Sequence, residues 1–124
     1  MTTADVRHRG DTLTTMIQQG RMMDAMDEFY ADDVVMAEND AEPTVGLAAN
    51  LERERDFVNN TQWHGLELQD VVVNGDTSMV RWWLDFTNSN YGQRLAFTQV
   101  AFQRWVEGKI VEERFYYSPT PVEE

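Results

Sequence analysis

The sequence has no cysteine, three prolines, two histidines and, among its 10 basic side chains, a single lysine, Lys109. The missing cysteines exclude disulfides, thiolate zinc sites and cysteine nucleophiles together, while leaving the redox compartment open. With only His8 and His64, a histidine-rich metal site is excluded as well, and no metal or cofactor is expected. Basic charge is scarce: 22 acidic against 10 basic side chains give a formal charge of -12 over 124 residues. A nucleic acid or an anionic membrane needs clustered Lys and Arg, so neither is an expected partner. No stretch approaches the ~20 apolar residues of a membrane span. The start, Met1-Thr2-Thr3-Ala4-Asp5, lacks a basic region followed by an apolar one. A soluble, cytoplasmic protein is the expectation. Abundant carboxylates beside one lysine also fit a surface adapted to high salt, where self-repulsion is screened. Stability rising steeply with salt is the expected mark of that adaptation.

What is present is a hydrophobic content of 42%, enough for one compact domain over 1–124 with residues 118–124 as a flexible tail. Val6, Leu13, Met16 and Ile17 share one face at helical spacing, and Gly20 is a stop. A second short helix begins near Arg21 and carries Met22, Met26 and Phe29, with Tyr30 at its end. Ala31-Asp32-Asp33 breaks that pattern before a strand from Val34 to about Glu38. Asn39-Asp40-Ala41-Glu42-Pro43 is turn chemistry, with Asp40 suited to an Asx turn. Leu47, Leu51, Phe57 and Val58 then mark a third helix that ends near Asn59-Asn60. From Trp63 the period changes to two. Asn74-Gly75 is a hairpin signal, Met79 to Thr87 and Arg94 to Val106 are strands, Glu107-Gly108 is a tight turn, and Lys109 to Tyr117 is the last strand. Helices followed by an antiparallel meander give an α+β domain whose curved sheet folds around helices packed on one face.

A two-residue turn at Glu107-Gly108 pairs Phe102 with Glu113 and Val100 with Phe115. That register puts Val100, Phe102, Val111, Phe115 and Tyr117 on the helix-covered face, with Arg104 and Glu113 as its charged members. Trp105 and Tyr116 then fall on the outer face together with Trp83 of the preceding strand. Large aromatics on a mixed polar face suit an interface, and a homodimer through Trp83, Trp105 and Tyr116 is expected. A carboxylate on the core face is the chemical clue, because burial raises its pKa toward the range useful for proton transfer. Glu113 is that candidate; the bland alternative is a structural ion pair with Arg104.

Gln103-Arg104-Trp105, Gly108-Lys109-Ile110-Val111, Glu113-Arg114-Phe115-Tyr116-Tyr117 and Pro119 resemble the SnoaL-like members of the nuclear transport factor 2-like superfamily. The helix order and Tyr30-Ala31-Asp32-Asp33 before the first strand fit as well. The resemblance implies a cystatin-like cone, about three N-terminal helices on a curved, mostly antiparallel sheet, with a central pocket between the layers. It further implies steroid isomerase, polyketide cyclase, epoxide hydrolase or dehydratase chemistry, or ligand binding alone; a fold of this kind does not select among them. Against the ketosteroid isomerase pattern the general-base position falls on Glu38. The two oxyanion donors of those isomerases meet Leu13 and Val100 here, which argues against steroid isomerisation by that route. Arg81 with Asp85 is only a loose echo of the Arg and two Asp of an epoxide hydrolase.

These readings name Glu38 and Glu113 as catalytic candidates, and Tyr30, Trp63, His64, Val100, Phe102, Phe115 and Tyr117 as pocket residues. His64 is also readable as a surface histidine and Tyr30 as core. The expected ligand is a small apolar, oxygenated molecule, handled without cofactor by isomerase, cyclase or dehydratase chemistry. The alternative is a non-catalytic ligand-binding or dimeric assembly module.

Overall fold

A computed structural model describes residues 1–123. The chain order is α1 (Thr3–Gln18), α2 (Met22–Phe29), β1 (Tyr30–Glu38), β2 (Thr44–Val45), α3 (Leu47–Asn59), β3 (Thr61–Asn74), β4 (Thr77–Asn88), β5 (Gln93–Val106) and β6 (Lys109–Tyr117). Three helices pack on one mixed, curved sheet of strand order β2-β1-β6-β5-β4-β3. The pairing is antiparallel except between β1 and β6, which run parallel. This is the expected α+β cone, with β2 as a short strand that the turn-rich 39–46 segment concealed.

Local chemistry explains the element ends. Thr2 and Asp5 form a reciprocal capping box at the start of α1, which satisfies two of the helix's orphan N–H groups. The chain leaves α1 through Gly20 in the left-handed region. Glu107 and Gly108 both have positive φ (49° and 83°), the signature of a type I′ hairpin turn whose twist matches that of its strands. Asn50, only 3% exposed, donates to the carbonyls of Thr44 and Gly46. It thereby ties the first turn of α3 to β2.

Three one-residue bulges give the sheet its curvature. His64 and Gln69 are extra residues in β3 relative to β4, and Val111 is an extra residue in β6 relative to β5. Each bulge bends its strand and increases the local twist. The Val111 bulge corrects the expected register: Gln103 opposes Glu113, Ala101 opposes Phe115 and Gln99 opposes Tyr117. The side chains of β5 from Gln99 to Trp105 therefore lie on the face opposite to the one expected. Ala101, Gln103 and Trp105 point inward and are buried. Val100, Phe102 and Arg104 point outward, and the Arg104 guanidinium lies 5.7 Å from the Phe102 ring centroid.

The apolar interior has two parts. One, between α1, α2, β1 and the β5–β6 hairpin, gathers Val6, Leu13, Met26, Phe29, Val34, Trp105 and Ile110. The other lines β4 and β5 with Val80, Trp82, Leu84, Phe86, Leu95 and Phe97, and its β4 members are those that strand parity predicts. The 118–124 segment expected to be a flexible tail is paired in part. Ala96 donates to the Thr120 carbonyl, Val122 donates to that of Arg94, and Pro121 bridges Leu95. Glu124, the last residue of that segment, lies outside the described residues.

Candidate functional site

Between the helices and the inner sheet face lies a cavity of about 1010 Å³, large enough for a small organic molecule. Its apolar wall is aromatic. Phe86 sits 5.4 Å from both Phe57 and Trp63 and 5.8 Å from Phe97, and Phe97 stacks on Tyr117 at 5.1 Å. Phe57 comes from α3, Trp63 from β3, Phe86 from β4, Phe97 from β5 and Tyr117 from β6, so four strands and one helix each contribute a ring.

The floor is polar and sealed from solvent. Glu113, 2% exposed, accepts from the Tyr30 hydroxyl through Oε1 (2.5 Å) and from Gln103 Nε2 through Oε2 (2.7 Å). Gln103 Oε1 in turn accepts from Ser78 Oγ at 2.7 Å, and Ser78 Oγ accepts from Trp105 Nε1 at 2.9 Å. All five side chains are buried, and none carries a positive charge. Burial pushes the Glu113 carboxyl up to about 7, against the opposing pull of its two hydrogen-bond donors, with the Glu54 carboxylate adding to the rise. Burial, with the Glu113 charge beside it, likewise raises the Tyr30 hydroxyl well above its usual value. The expected alternative, an ion pair between Arg104 and Glu113, is absent: Arg104 instead faces Glu112 at 3.6 Å on the outer side.

The mouth holds charge of both signs. Glu38 at the end of β1 meets Arg53 of α3 at 3.4 Å, their side chains 43% and 52% exposed, and Arg53 also donates to Thr44 Oγ1 at 2.7 Å. One residue on, half-buried Glu54 borders the cavity. Burial and then the Glu38 charge raise its carboxyl to about 7, with Arg53 pulling the other way. Tyr117 lies beside Glu38, and burial followed by that charge raises its hydroxyl.

Of the residues expected at the pocket, Tyr30, Glu38, Trp63, Glu113, Phe115 and Tyr117 border this cavity. Val100 and Phe102 do not, because the bulge turns them to the outer face. His64 does not either: it is itself the extra residue of a bulge, is exposed, and meets Thr87 Oγ1 at 2.8 Å on the outer side. Trp105, expected on the outer face, is 1% exposed and belongs to the core. Asp85 is held by two hydrogen bonds from Arg94, away from the cavity and from exposed Arg81.

Sequence reading missed Glu54, Ser78 and the inward turn of Gln103. Glu54 had a signal: it lies three residues after Leu51 and three before Phe57, on the stripe that faces the sheet. Among the described residues, no group of three or more His, Asp or Glu side chains is placed to hold a metal ion. No helix among them is long and apolar enough to cross a membrane.

A helix-covered, bulge-curved sheet around an aromatic cavity defines a nuclear transport factor 2-like α+β domain. Within that class the chain belongs to the SnoaL-like family, whose domain model matches residues 11–113. A SnoaL-like protein from Mesorhizobium loti, described as a candidate polyketide cyclase, is 28% identical. That match covers 90% of this chain and 98% of the other, with a TM-score of 0.83. A candidate polyketide cyclase from Xanthomonas campestris is similar in fold at 20% identity, over 95% and 93% of the two chains, with a TM-score of 0.76. An LEH-like epoxide hydrolase from M. tuberculosis matches at 15% identity over 94% and 84%, with a TM-score of 0.74. No curated protein matches significantly.

Proposed function

We propose that this chain takes an apolar, oxygenated small molecule into the cavity and acts on it by cofactor-independent acid/base chemistry of the isomerase, cyclase or dehydratase type. The observation that carries this reading is the pair of carboxyls, Glu113 and Glu54, both raised to about 7 in one aromatic cavity. A group that titrates near neutrality exchanges protons in both directions at little cost. In this mechanism the Tyr30–Glu113 pair at the floor stabilises charge that develops on a substrate oxygen. Glu54 takes a proton from the adjacent carbon and returns it, and Glu38 serves as its charged neighbour and as a second hydrogen-bonding group. The candidate cyclases and the epoxide hydrolase of the same fold lend support in kind, not in substrate.

Exchange of the protons next to the carbonyl of 2-tetralone in D2O, followed by NMR, tests the reading. The expected result is exchange above the buffer rate, reduced by a factor of about 10² or more in Glu54→Gln and Glu113→Gln. If the ketone binds without accelerated exchange, the domain is a non-catalytic ligand binder. That second reading is favoured by one feature: both Glu113 oxygens already hold hydrogen bonds.

Assembly as a homodimer through the outer sheet face is also proposed, now with Trp83 and Tyr116 but without Trp105. Tyr116, Met79 and Val72 are 44%, 44% and 58% exposed on that face. The mass in solution of Tyr116→Ala checks it: a dimer that becomes a monomer supports the interface, and a wild-type monomer removes it.

A further inference from the structure

The hydrogen bonds at the cavity floor have one permitted direction. The Trp105 indole N–H is a donor only, so Ser78 Oγ must accept from it, and the single hydroxyl hydrogen of Ser78 is left to donate to Gln103. That fixes the Gln103 amide with its oxygen toward Ser78 and its NH2 toward Glu113. Oε2 of Glu113 therefore always faces a donor. A proton arriving on Glu113 must sit on Oε1, the oxygen 2.5 Å from the Tyr30 hydroxyl.

Two states follow. With Glu113 ionised, the Tyr30 hydrogen points at Oε1 and is not available to the cavity. With Glu113 protonated, Oε1–H donates to Tyr30 Oη, and the Tyr30 hydrogen turns away from Glu113. Tyr30 borders the cavity, so the hydrogen is presented there. Titratable groups acting on Glu113, among the described residues, are Tyr30 at the start of β1 and Glu54 on α3. From β5 the facing group is the neutral Gln103, and from α2 the cavity receives the apolar Met22 and Met26.

We propose that Gln103, locked by Ser78 and Trp105, is a positioning residue that assigns the Glu113 proton to Oε1, so that the protonated acid turns the Tyr30 hydroxyl into the cavity as the donor for a ligand carbonyl oxygen. This rests on the cavity being a small-molecule site and narrows the ligand class to neutral carbonyl compounds. It makes the Tyr30 donor proton-gated: Tyr30 donates to a ligand carbonyl only when Glu113 is neutral.

The experiment compares two probes of nearly the same shape in the intact protein, 2-acetylnaphthalene and 2-ethylnaphthalene, by fluorescence titration at about pH 5.5 and about pH 8.5, on either side of the Glu113 pKa. The ketone is expected to bind about tenfold more weakly at the higher pH, the worth of about one hydrogen bond, while the hydrocarbon binds equally at both. The bound carbonyl should absorb at lower infrared frequency at the lower pH only. Tyr30→Phe should erase both effects. Gln103→Leu removes a donor to the ionised acid and should move the midpoint of the ketone's pH profile upward, whereas a merely structural residue would weaken both probes alike and leave the midpoint in place. A ketone affinity and carbonyl frequency independent of pH would overturn the proposal, and so would a pH-dependent carbonyl shift that survives Tyr30→Phe. If neither probe binds at any pH, it is the small-molecule reading of the cavity that fails.

Discussion

The floor and the mouth of the cavity each hold a glutamate raised to about 7, chiefly by burial in both cases, and they differ in the neighbours that adjust that rise. At the floor, Glu113 is desolvated among neutral partners, and its hydrogen bonds oppose the rise. At the mouth, burial again raises Glu54 most, and the exposed charges of Glu38 and Arg53 then push it further up and pull it back. A group tuned by burial is insulated from ionic strength. A buried group that also has exposed charged neighbours responds to changes in screening or in charge nearby. The same apparent acidity thus comes in a rigid form and an adjustable one.

The largest test of this contrast removes the support of the floor. Trp105→Ala deletes a fully buried ring together with the donor that orients Ser78, and a loss of about 3–5 kcal/mol is expected in urea unfolding. Next comes pH. The folded protein holds a proton on Glu113 between about pH 4.5 and 7, where the unfolded chain does not, so the Glu113 contribution to stability is fully present below that window and is lost as pH rises through it. At about 1.4 kcal/mol per pKa unit, the fall due to Glu113 is about 3 kcal/mol. Glu54 adds to it in the same direction. In Glu113→Gln the Glu113 share of this slope should vanish, which chemical denaturation at a series of pH values would reveal; an unchanged slope would remove Glu113 as its source.

A smaller effect distinguishes the mouth. Arg53→Gln should raise the Glu54 pKa further at low salt, read from its carboxyl carbon shift, and the difference should close in about 1 M salt, where the screening length is about 3 Å. Glu113, which feels that mouth only through Glu54, should move less in the same spectra. The smallest effect belongs to His64→Ala: on the outer side of a bulge, its loss should change stability by no more than about 0.5 kcal/mol and leave probe binding and its pH profile alone.

Much of this contrast is written in local sequence, and one decisive part is not. Helical spacing located α1 to α3, Glu107-Gly108 located the last hairpin, and alternation in β4 separated Trp82, Leu84 and Phe86 from Arg81 and Trp83. Glu113 and Tyr117 fell on the correct face of β6, and Glu38 reached the mouth through the family resemblance. The facing strand was inverted, because the Val111 bulge is a one-residue irregularity that leaves no composition signal. Parity carried across the turn from Glu113 therefore selected Val100 and Phe102 in place of Ala101 and Gln103. Trp105 misled for a related reason: an aromatic beside charged neighbours suits an interface, and only the fold shows that its N–H has a buried hydroxyl to meet. The Ser78–Gln103 pair joins two strands at long range, beyond the reach of any periodicity.

The bulges carry a further consequence for how such a domain changes over time. Because Val111 is an insert between two pairs that already oppose each other, Trp105 with Ile110 and Arg104 with Glu112, removing it leaves the opposite partners of β5 and β6 as they are. Only the bend is lost. Single-residue insertions and deletions can thus resize the chamber while its lining keeps its identity, and substitutions can recast the lining while the bend stays. Volume and chemistry are separately heritable in this architecture, so one ancestor can supply descendants for small and large ligands without rebuilding the floor each time.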